Sequence, residues 1–485
     1  MSAPDLDTLG RNGPWGRVHA VVIGLGASGF AAADNLMHVG ARVTVLAEGV
    51  RPDQEERVQL LEILGATVRI GPGASHTVPD GVDLVVTSPG VPPTAPGLTA
   101  AYQRGIPVWG EVELAWRLRD PDHPGAWLAL TGTNGKTTTV QMLQGILKAH
   151  GSNSIACGNV GLPVVEAVMD PEPYDVYAIE LSSFQLHYTH TVAAESAAVL
   201  NVAEDHLDWY TGPSAMDDYA RDKGRIYERV RSACVYNVAD PVTEQLVRDA
   251  DVEEGARAIG FTLGTPGVGM VGLVDDVLAD RAFIAEREHS AAELCTVSDL
   301  ASDAPHFIAN ALAAAALARS HGVSTAAVRD GLRAFRPDGH RIAEVATVGD
   351  VAFVDDSKAT NPHAATSSLQ AYDPVVWVAG GLAKGARFDD LVRQVHPRLR
   401  GVVLLGRDRD VIAAALREHA PEVPVVEVAD TGADAMDRVV AAAADLARPG
   451  DTVLLAPGCA SMDMFTDYAA RGDAFAAAVH RLGAR

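Results

Sequence analysis

The amino-acid sequence predicts an α/β protein of three domains, each built on a mainly parallel sheet. The chain has 485 residues, which corresponds to about three domains of ordinary size. Short apolar runs alternate with helix-like segments, which is the pattern of strands joined by helical crossovers. A cluster of prolines between residues 89 and 96 interrupts the first series, and a new series follows it. We therefore place the domains at residues 1–110, 111–337 and 338–485.

The composition excludes several classes of protein. The 39 Lys and Arg residues against 63 Asp and Glu residues give a formal net charge of −24, so we expect no nucleic-acid partner. No apolar run reaches the ~20 residues of a membrane span, and the N-terminal residues lack the apolar region of a signal peptide. The four cysteines form no CxxC pair, which argues against a disulfide framework or a zinc site. We expect a cytoplasmic protein without a membrane span, and a monomer.

The first domain begins with a strand and a glycine turn. A predicted strand at residues 18–23 leads into the G-x-G-x-x-G turn of residues 24–29 and a helix over residues 30–39. This order predicts a Rossmann-like domain whose turn binds a diphosphate. Glu48 lies where a ribose-binding acid is expected, so a nicotinamide-dependent oxidoreductase is one alternative, although no later segment reads as a hydride-transfer site. Further strands are predicted at residues 42–46, 66–70 and 84–87.

The second domain carries the strongest motif. A strand at residues 126–130 is followed by Thr-Gly-Thr-Asn-Gly-Lys-Thr-Thr at residues 131–138 and a helix to about residue 150. Backbone N–H groups of such a loop and helix N-terminus attract phosphates. Lys136 would reach the terminal phosphates and the Thr137 hydroxyl would hold Mg²⁺. The loop is the short form G-x-x-G-K-T, because Leu130 stands where the longer P-loop pattern has its first glycine. We predict a P-loop ATPase-like domain.

Two further positions in this domain are typical of a metal site. Glu180 directly follows a predicted strand at residues 176–179. His206 lies among carboxylates in the run 201–208, which ends a strand predicted at residues 197–202. Ligands gather at the carboxyl ends of parallel strands, and Mg²⁺ prefers oxygen ligands. We also predict a packed helix at residues 307–320 and a hairpin or loop at residues 264–272.

Lys223 lies in an unusual place on a predicted helix. It falls on the apolar stripe of that helix and not on its charged face. On periodicity alone, the simplest interpretation is a lysine whose stem packs while its ammonium reaches water.

The third domain is predicted to be a second Rossmann-like unit. Its strands are predicted at residues 351–354, 375–379, 402–405, 425–428 and 452–456. Polar clusters follow three of these strands, at residues 355–361, 380–385 and 457–461. Lys358, Lys384 and Ser461 within them could converge on a small anionic substrate.

The motifs together resemble the Mur ligase family of bacterial cell-wall synthesis. The resemblance covers nearly the whole chain in order and includes the short phosphate loop, the Gly-Asn-Val-Gly run at residues 158–161 and Glu-Leu-Ser-Ser-Phe-Gln-Leu at residues 180–186. It continues through residues 204–208, His340-Arg341, residues 356–361, residues 459–461 and Arg471-Gly472. The runs that begin at Glu180 and Asp356 are the most specific for the member that adds D-glutamate.

The resemblance implies an ATP-dependent ligase. It would add D-glutamate to UDP-N-acetylmuramoyl-L-alanine through an acyl phosphate, and its three domains would bind the UDP substrate, ATP and the amino acid. Two Mg²⁺ ions are implied as cofactors. Alternatives are another acid–amino-acid ligase of the same architecture, such as another Mur ligase or a folylpolyglutamate synthase-like enzyme. A folylpolyglutamate synthase is not expected to carry the first glycine turn.

The resemblance also implies roles for catalytic and metal-binding residues. Lys136 would contact the transferred phosphate, Thr137 and Glu180 would hold one Mg²⁺, and His206 would hold a second. Lys223 matches the family lysine that carries a CO₂-derived carbamate, an anion that can bind Mg²⁺.

Further residues would bind the substrates. ATP would be contacted by Gly132, Thr133, Asn134, Gly135, Lys136, Thr137, Thr138, Asn310, Arg341 and Asp356. The UDP substrate would be contacted by Ala27, Ser28, Glu48 and Asn159. D-Glutamate would be contacted by Thr360, Lys384, Ser461 and the backbone of Tyr468.

Three positions depart from the family pattern. Phe307 follows His306 where the family often has Asn, which affects an adenine-side contact. Ala47 stands where an Asp often contacts uracil, and Glu48 beside it is the candidate substitute. Tyr468 replaces an aromatic residue that is often Phe.

Overall fold

The computed structural model describes residues 5–51, 54–206, 209–210, 212–337, 339–432 and 434–484. Asp338, where the sequence predicts the third domain to start, lies outside the described residues, as do Leu207 and Asp208 of the 204–208 run. The described residues form three separate sheets. The predicted α/β class with three mainly parallel sheets is therefore confirmed.

The first sheet is wholly parallel. Its elements are β1 (His19–Ile23), α1 (Ala27–His38), β2 (Arg42–Ala47), α2 (Glu55–Ile63), β3 (Thr67–Ile70), β4 (Leu84–Thr87), α3 (Pro96–Gln103) and β5 (Val108–Gly110). The strand order is β3-β2-β1-β4-β5, so the chain reverses direction across the sheet next to β1. The glycine turn lies at this reversal, where open α/β sheets bind ligands. A short helix, α4 (Glu111–Arg117), leads into the second sheet.

The second sheet has nine strands among the described residues. Its elements are β6 (Ala126–Thr131), α5 (Lys136–His150), β7 (Ser154–Gly158), α6 (Val164–Val168), β8 (Val176–Glu180), α7 (Ser183–His187), β9 (Ser196–Val199), α8 (Ala215–Gly224), β10 (Ala233–Asn237), α9 (Pro241–Asp249), β11 (Arg257–Phe261), β12 (Met270–Val274), β13 (Val277–Asp280), β14 (Ala292–Thr296), α10 (Pro305–Ser320) and α11 (Thr325–Ala334). The strand order is β14-β13-β12-β11-β10-β9-β6-β8-β7. Strands β6 to β12 pair in parallel, whereas β12, β13 and β14 pair antiparallel.

The register of this sheet brings the candidate ligands to one edge. Leu130 pairs with Glu180 across β6 and β8, and Gly158 pairs with Glu180 across β7 and β8. The phosphate loop, the 158–161 run and the Glu180 carboxylate therefore lie at the same level, at the carboxyl ends of neighbouring strands. The Ala-rich helix α10 is buried along most of its length and packs with α11 against α5, which confirms the predicted packed helix.

The third sheet carries one antiparallel edge strand. Its elements are β15 (Ala343–Val348), β16 (Val351–Asp355), α12 (Pro362–Leu369), β17 (Val375–Gly380), α13 (Asp389–Val395), β18 (Leu399–Leu405), α14 (Arg409–His419), β19 (Val425–Glu427), α15 (Ala435–Leu446), β20 (Thr452–Leu455) and α16 (Tyr468–Gly483). The order is β15-β16-β20-β17-β18-β19, with β15 antiparallel to β16 and the other pairs parallel.

The strand predictions are confirmed with small shifts at their ends, and one shift has a functional cause. Strand β9 ends at Val199, although the apolar run predicts a strand to residue 202. Asn201 leaves the sheet ladder because its backbone and side chain bind the phosphate loop. The glycine-rich segment is irregular to residue 269, and β12 and β13 then form a hairpin.

The chain divides into two compact units. The first comprises residues 1–202 and 217–335 and holds the first two sheets, and the second comprises residues 203–216 and 336–485 and holds the third sheet. Among the described residues, none of the helices combines the length and apolar character that a membrane crossing needs.

Candidate active site

The phosphate loop joins β6 to α5 in the first unit. Gly135 precedes the helix at φ +81° and has no side chain that could occupy the helix N-terminus. Lys136 folds back over the loop, and its Nζ donates to the carbonyl oxygens of Gly132 and Thr133, each at 2.9 Å. The loop therefore presents backbone N–H groups and a lysine to one small volume, which is an anion site.

Asn201 fixes the shape of this loop. Its Oδ1 accepts from the Asn134 N–H at 2.8 Å, its Nδ2 donates to the Asn134 carbonyl at 3.1 Å, and its backbone carbonyl accepts from the Thr133 N–H at 3.0 Å. The sequence places Asn201 only in a run after a strand and does not indicate this role. The available signal is that it is the first polar residue after a buried apolar strand.

Asn310, predicted to contact ATP, lies against the loop. A Cβ atom on Gly135 would come within 2.3 Å of Asn310 Oδ1, so the glycine is needed for this close approach. Asn310 is buried on α10. Phe307, one turn earlier on the same helix, is buried and its ring lies 6.0 Å from that of Phe335. Its side chain therefore belongs to the core and offers no polar contact to a base.

Glu180 has the features of a metal ligand. It is the last residue of β8 and only 1% exposed. Its Oε1 accepts from Asn159 Nδ2 at 2.9 Å, whereas no described residue donates to the buried Oε2. A buried carboxylate oxygen without a partner is costly, and a hard cation would satisfy it. Asn159, predicted to lie near the UDP diphosphate, here uses its amide to hold Glu180.

Lys223 is buried and does not reach water. It is 1% exposed, and its Nζ donates to the Gly132 carbonyl at 2.9 Å and lies 4.4 Å from the centre of the Tyr219 ring. The interpretation as a snorkelling lysine is therefore wrong, because tertiary contacts cover the ammonium that a helix alone would leave at the surface. The Tyr219 hydroxyl lies 3.1 Å from Thr133 Oγ1, so α8 contacts the phosphate loop twice.

The glycine turn of the first sheet is open on one side. Gly24 has φ +94°, and a Cβ atom on Gly29 would come within 2.2 Å of the Gly24 carbonyl oxygen. Nothing lies within 4 Å of a Cβ placed on Gly26, and α1 starts at Ala27 and Ser28. The predicted diphosphate contacts therefore lie at a helix N-terminus with free space before it.

Two side chains near this turn, Ser88 and Glu48, add to the predicted contacts of the UDP substrate. No described residue hydrogen-bonds to the buried Oγ of Ser88, which faces Gly24 and Gly29, so Ser88 is a candidate ligand that sequence reasoning missed. Glu48 accepts from the Gly73 N–H at 2.7 Å and from the N–H and hydroxyl of Ser75. The Ser75 hydroxyl is the main cause that lowers the pKa of Glu48. Glu48 therefore holds the loop after β3, in addition to its predicted uracil contact.

In the second unit, the predicted amino-acid ligands converge. Thr360 and Lys384 line one small cavity together with Glu204, Asp205, His206 and Asn361. Asp205 Oδ2 lies 3.4 Å from Asn361 Nδ2 and 3.5 Å from His206 Nε2. Leu382 and Ala460 exchange backbone hydrogen bonds, which places the Lys384 loop beside Ser461.

Arg471 ties together two polar loops of this unit, at residues 355–361 and 457–461. It is 1% exposed, and its guanidinium donates to Ser357 Oγ at 2.9 Å, to the Ser357 carbonyl at 2.8 Å and to the Cys459 carbonyl at 3.0 Å. Burial lowers its pKa to about 10. The Ser357 hydroxyl in turn donates to the Tyr468 carbonyl at 2.7 Å, and Lys358 Nζ lies 3.9 Å from the Tyr468 ring. The sequence gives Arg471 as part of a motif but not this role.

Asp356 and Arg341, predicted to contact ATP, also lie in the second unit. Burial raises the pKa of Asp356 to about 6, although the Ser368 hydroxyl donates to its carboxyl group and lowers that pKa. Arg341 follows His340, whose Nδ1 lies 2.6 Å from Asp355 Oδ2.

The structure divides the predicted site residues into a set in the first unit and a set in the second. The first set is Ala27, Ser28, Glu48, Gly132, Thr133, Asn134, Gly135, Lys136, Thr137, Thr138, Asn159, Glu180, Lys223 and Asn310.

Known families match three successive segments of the chain. Residues 18–110 match the Mur ligase MurD-like N-terminal domain, residues 130–318 the Mur ligase middle domain and residues 340–459 the Mur ligase glutamate ligase domain.

Full-length relatives and a solved structure agree with these matches. Proteins named UDP-N-acetylmuramoylalanine–D-glutamate ligase from Streptomyces coelicolor and Streptomyces avermitilis are 60% and 59% identical over 470 and 472 residues. The alignments cover 96% and 97% of this chain and 98% and 99% of the relatives. A pseudomurein peptide ligase type C from Methanothermus fervidus has a similar fold, with a TM-score of 0.58 at 15% identity over 96% of this chain and 100% of that one.

Proposed function

Because the chain belongs to the Mur ligase family, we propose that it joins D-glutamate to UDP-N-acetylmuramoyl-L-alanine, with cleavage of ATP, in peptidoglycan precursor synthesis. One observation carries the proposal: a relative bearing the D-glutamate ligase name is 60% identical over 96% of this chain and 98% of its own length. The family is one of ATP-dependent ligases, so the oxidoreductase alternative is excluded. Its nucleotide substrates support a cytoplasmic location.

The reaction needs an activated carboxylate, because a free carboxylate is a poor acyl donor. An oxygen of the L-alanine carboxylate attacks the γ-phosphorus of ATP, and the bond to the ADP oxygen breaks. The neutral amine of D-glutamate then attacks the acyl carbon. The tetrahedral intermediate loses phosphate, and the proton released from nitrogen passes to that phosphate or to solvent, which leaves the amide. Charge on the transferring phosphoryl group must be neutralised throughout.

The phosphate loop supplies part of this neutralisation. Lys136 already lies over the loop carbonyls and would turn to the γ-phosphate when ATP is bound. The N–H groups of residues 132–138 would hold the phosphates. Asn201 keeps the loop in shape for this, and Asn310 lies where it can approach the nucleotide beside Gly135.

Glu180 and Thr137 would hold one Mg²⁺. The unpartnered Oε2 of Glu180 supports this, since it is a hard oxygen ligand buried at the same strand level as the loop. When bound, Mg²⁺ neutralises phosphate oxygens and orients the γ-phosphate. A carbamate on Lys223 would offer a further Mg²⁺ ligand in the first unit, and His206 would offer one in the second.

The carbamate on Lys223 is supported by the crowding of positive charge. Lys136 and Lys223 both donate to the Gly132 carbonyl, so two ammonium groups share one acceptor. Carbamate formation starts from the neutral amine of Lys223. That amine would attack CO₂, lose a proton to solvent and become an N-carboxylate, which removes the repulsion.

We assign residues 1–110 to the UDP substrate, 111–337 to ATP and 338–485 to D-glutamate. In the first of these, Ala27, Ser28 and Ser88 would approach the diphosphate. In the last, Thr360, Lys384, Ser461 and the Tyr468 backbone would hold D-glutamate, whose two carboxylates suit the cation and hydroxyl donors of these loops.

Phosphate release from ATP tests the proposal. With UDP-N-acetylmuramoyl-L-alanine present, we expect release and amide product with D-glutamate and little with L-glutamate, D-alanine or L-lysine. L-Glutamate is the matched control, because it differs only in configuration. If L-lysine or meso-diaminopimelate were the better acceptor, the chain would be a different ligase of the same family.

A further inference from the structure

Asp222, the residue before Lys223, lies in a polar network that the reaction does not require. Its side chain is buried, with 1% of the residue exposed. Its Oδ2 lies 2.7 Å from His187 Nδ1, and its Oδ1 accepts from Arg225 Nε at 3.2 Å. A buried carboxylate is retained only when such donors compensate its desolvation.

The network contributes to the position of α8, because few apolar side chains of this helix are buried. The buried side chains among its described residues are Tyr219, Asp222 and Lys223. A helix of 10 residues is marginal without tertiary contacts. Ile226 and Tyr227, which follow directly after α8, are buried and anchor its C-terminal end. The contacts of Asp222 add a polar anchor within the helix itself.

His187 links this helix to the candidate metal ligand Glu180. It is the last residue of α7, which starts at a capping box formed by Ser182 and Gln185, two residues after Glu180. Beyond His187, the Thr189 carbonyl accepts from Arg225 Nη1 at 3.2 Å. The carboxylate of Glu113 accepts from the backbone N–H groups of the next two residues at 2.7 and 2.9 Å. The segment from Glu180 to residue 191 is thus held at both ends.

We propose that His187 and Asp222 are positioning residues that fix Lys223 relative to Glu180, so that a carbamate on Lys223 forms and binds Mg²⁺. The inference rests on the proposed function. Neither side chain needs to touch substrate, since the effect passes along α7 from Glu180 and along α8 to Lys223. Fixing Asp222 on one side of α8 fixes the direction in which the next residue points.

The test compares His187→Ala and His187→Asn with a matched control, His321→Ala. His321 Nδ1 lies 2.7 Å from Glu195 Oε1, and the side chains of His187 and His321 are both 25% exposed. Asn keeps an N–H near the position of Nδ1, whereas Ala removes it. The carbamate is measured by ¹³C NMR after addition of ¹³C-bicarbonate, with Lys223→Ala as the blank. Mg²⁺ dependence of phosphate release and thermal melting are measured beside it.

We expect His187→Ala to lose most of the carbamate signal and to need about tenfold more Mg²⁺ for half-maximal rate, as for other residues that orient metal ligands. His187→Asn should recover most of both. His321→Ala should lower the melting temperature but leave the carbamate and the Mg²⁺ requirement within about twofold of wild type.

Two results would overturn the inference: a wild-type protein without the carbamate signal, or a His187→Ala variant that matches His321→Ala in both readouts. Failure of the proposed function is distinguishable, because the carbamate is measured without substrates. A wild-type protein that forms the carbamate but releases no phosphate with D-glutamate would reject the function alone.

Discussion

Lys223 shows how burial changes the chemistry available to a single residue. On the helix alone its ammonium would reach water, but the structure covers it and gives it the Gly132 carbonyl that Lys136 also uses. If Lys223 carries the proposed carbamate, an anion takes the place of one of these two neighbouring ammonium groups.

Replacement of Lys223 separates an anionic from a cationic role. Lys223→Ala should be nearly inactive, with a loss of at least about 10²-fold in kcat, because the variant lacks the proposed metal ligand. Acetate or formate should restore part of this activity by filling the vacated volume with a carboxylate. Lys223→Arg should stay inactive, because a guanidinium cannot form the carbamate. Phosphate release measures all three.

The control for this experiment is wild-type enzyme in the same carboxylate, which corrects for effects of the salt. Wild-type turnover by Lys223→Arg would mean that a positive side chain is sufficient, and the carbamate would have to be abandoned.

The candidate ligands of the site can be predicted from the sequence more easily than the residues that orient them. Lys136, Glu180 and Lys223 are recognisable because each lies in a local motif or breaks a local pattern. Asn201 and Arg471 act through partners 67 and 114 positions away, and these pairings exist only after the sheets form. Ser88 could not be predicted for the same reason. Its hydroxyl comes close to Gly24 and Gly29 only because β4 packs beside the glycine turn.

At the level of elements, the strand–loop–helix unit around Gly135 needs a glycine for two reasons, a left-handed backbone conformation and the close approach of Asn310. The positive φ favours glycine, and the space that a side chain would need is occupied by Asn310. Elements of this kind are well predicted by sequence. The strands β10 to β14 are not, because each has only four or five residues and mixes buried with partly exposed positions. They lie together on one side of β9 and β6 in the sheet.

Gly135→Ala should weaken ATP binding beyond its effect on stability. The added methyl group would force Asn310 away from the loop, and the positive φ costs about 1–2 kcal/mol for a non-glycine residue. Gly151→Ala is the matched control: Gly151 ends the same helix at φ +90°, with nothing within 4 Å of its added Cβ. Titration calorimetry with ATP and thermal melting measure the two effects.

Gly151→Ala should lose stability through its positive φ alone, and Gly135→Ala should lose more because of the clash with Asn310. Only Gly135→Ala should lose affinity, by about tenfold for a displaced contact worth ~1.4 kcal/mol. Equal ATP affinity in the two variants would mean that the Asn310 contact has no part in nucleotide binding.

At the level of the whole molecule, the acidic surface and the anionic substrates oppose each other. A net charge of −24 repels ATP, the UDP substrate and D-glutamate at long range. Binding must therefore depend on short-range cations and N–H groups inside the sites, where the local field outweighs the distant charges. Lys136 and Lys384 are the cations proposed for this role.

The pH dependence of stability provides a whole-molecule prediction away from the site. The hydrogen bond from His321 to Glu195 is the largest cause that raises the pKa of His321 above 6.5, against an opposing effect of burial. A raised pKa means that the folded protein binds the proton more tightly than the unfolded chain. The stabilisation is therefore fully present below about pH 6.5 and is lost as the pH rises through the higher folded-state pKa.

Glu195→Gln should reveal this dependence in thermal melting of the full chain. At pH 5.5 the wild type holds a charged pair that the variant lacks, and the pair contributes at most about 1 kcal/mol because both side chains are partly exposed. The melting temperature of the variant should then lie about 2 °C or less below that of wild type, and the gap should close towards pH 9. His321→Ala, which cannot titrate at this position, should show no further change when Glu195→Gln is added at pH 9. A gap that widened with rising pH would mean that the pKa of His321 is lowered in the folded protein, with burial outweighing its carboxylate partner.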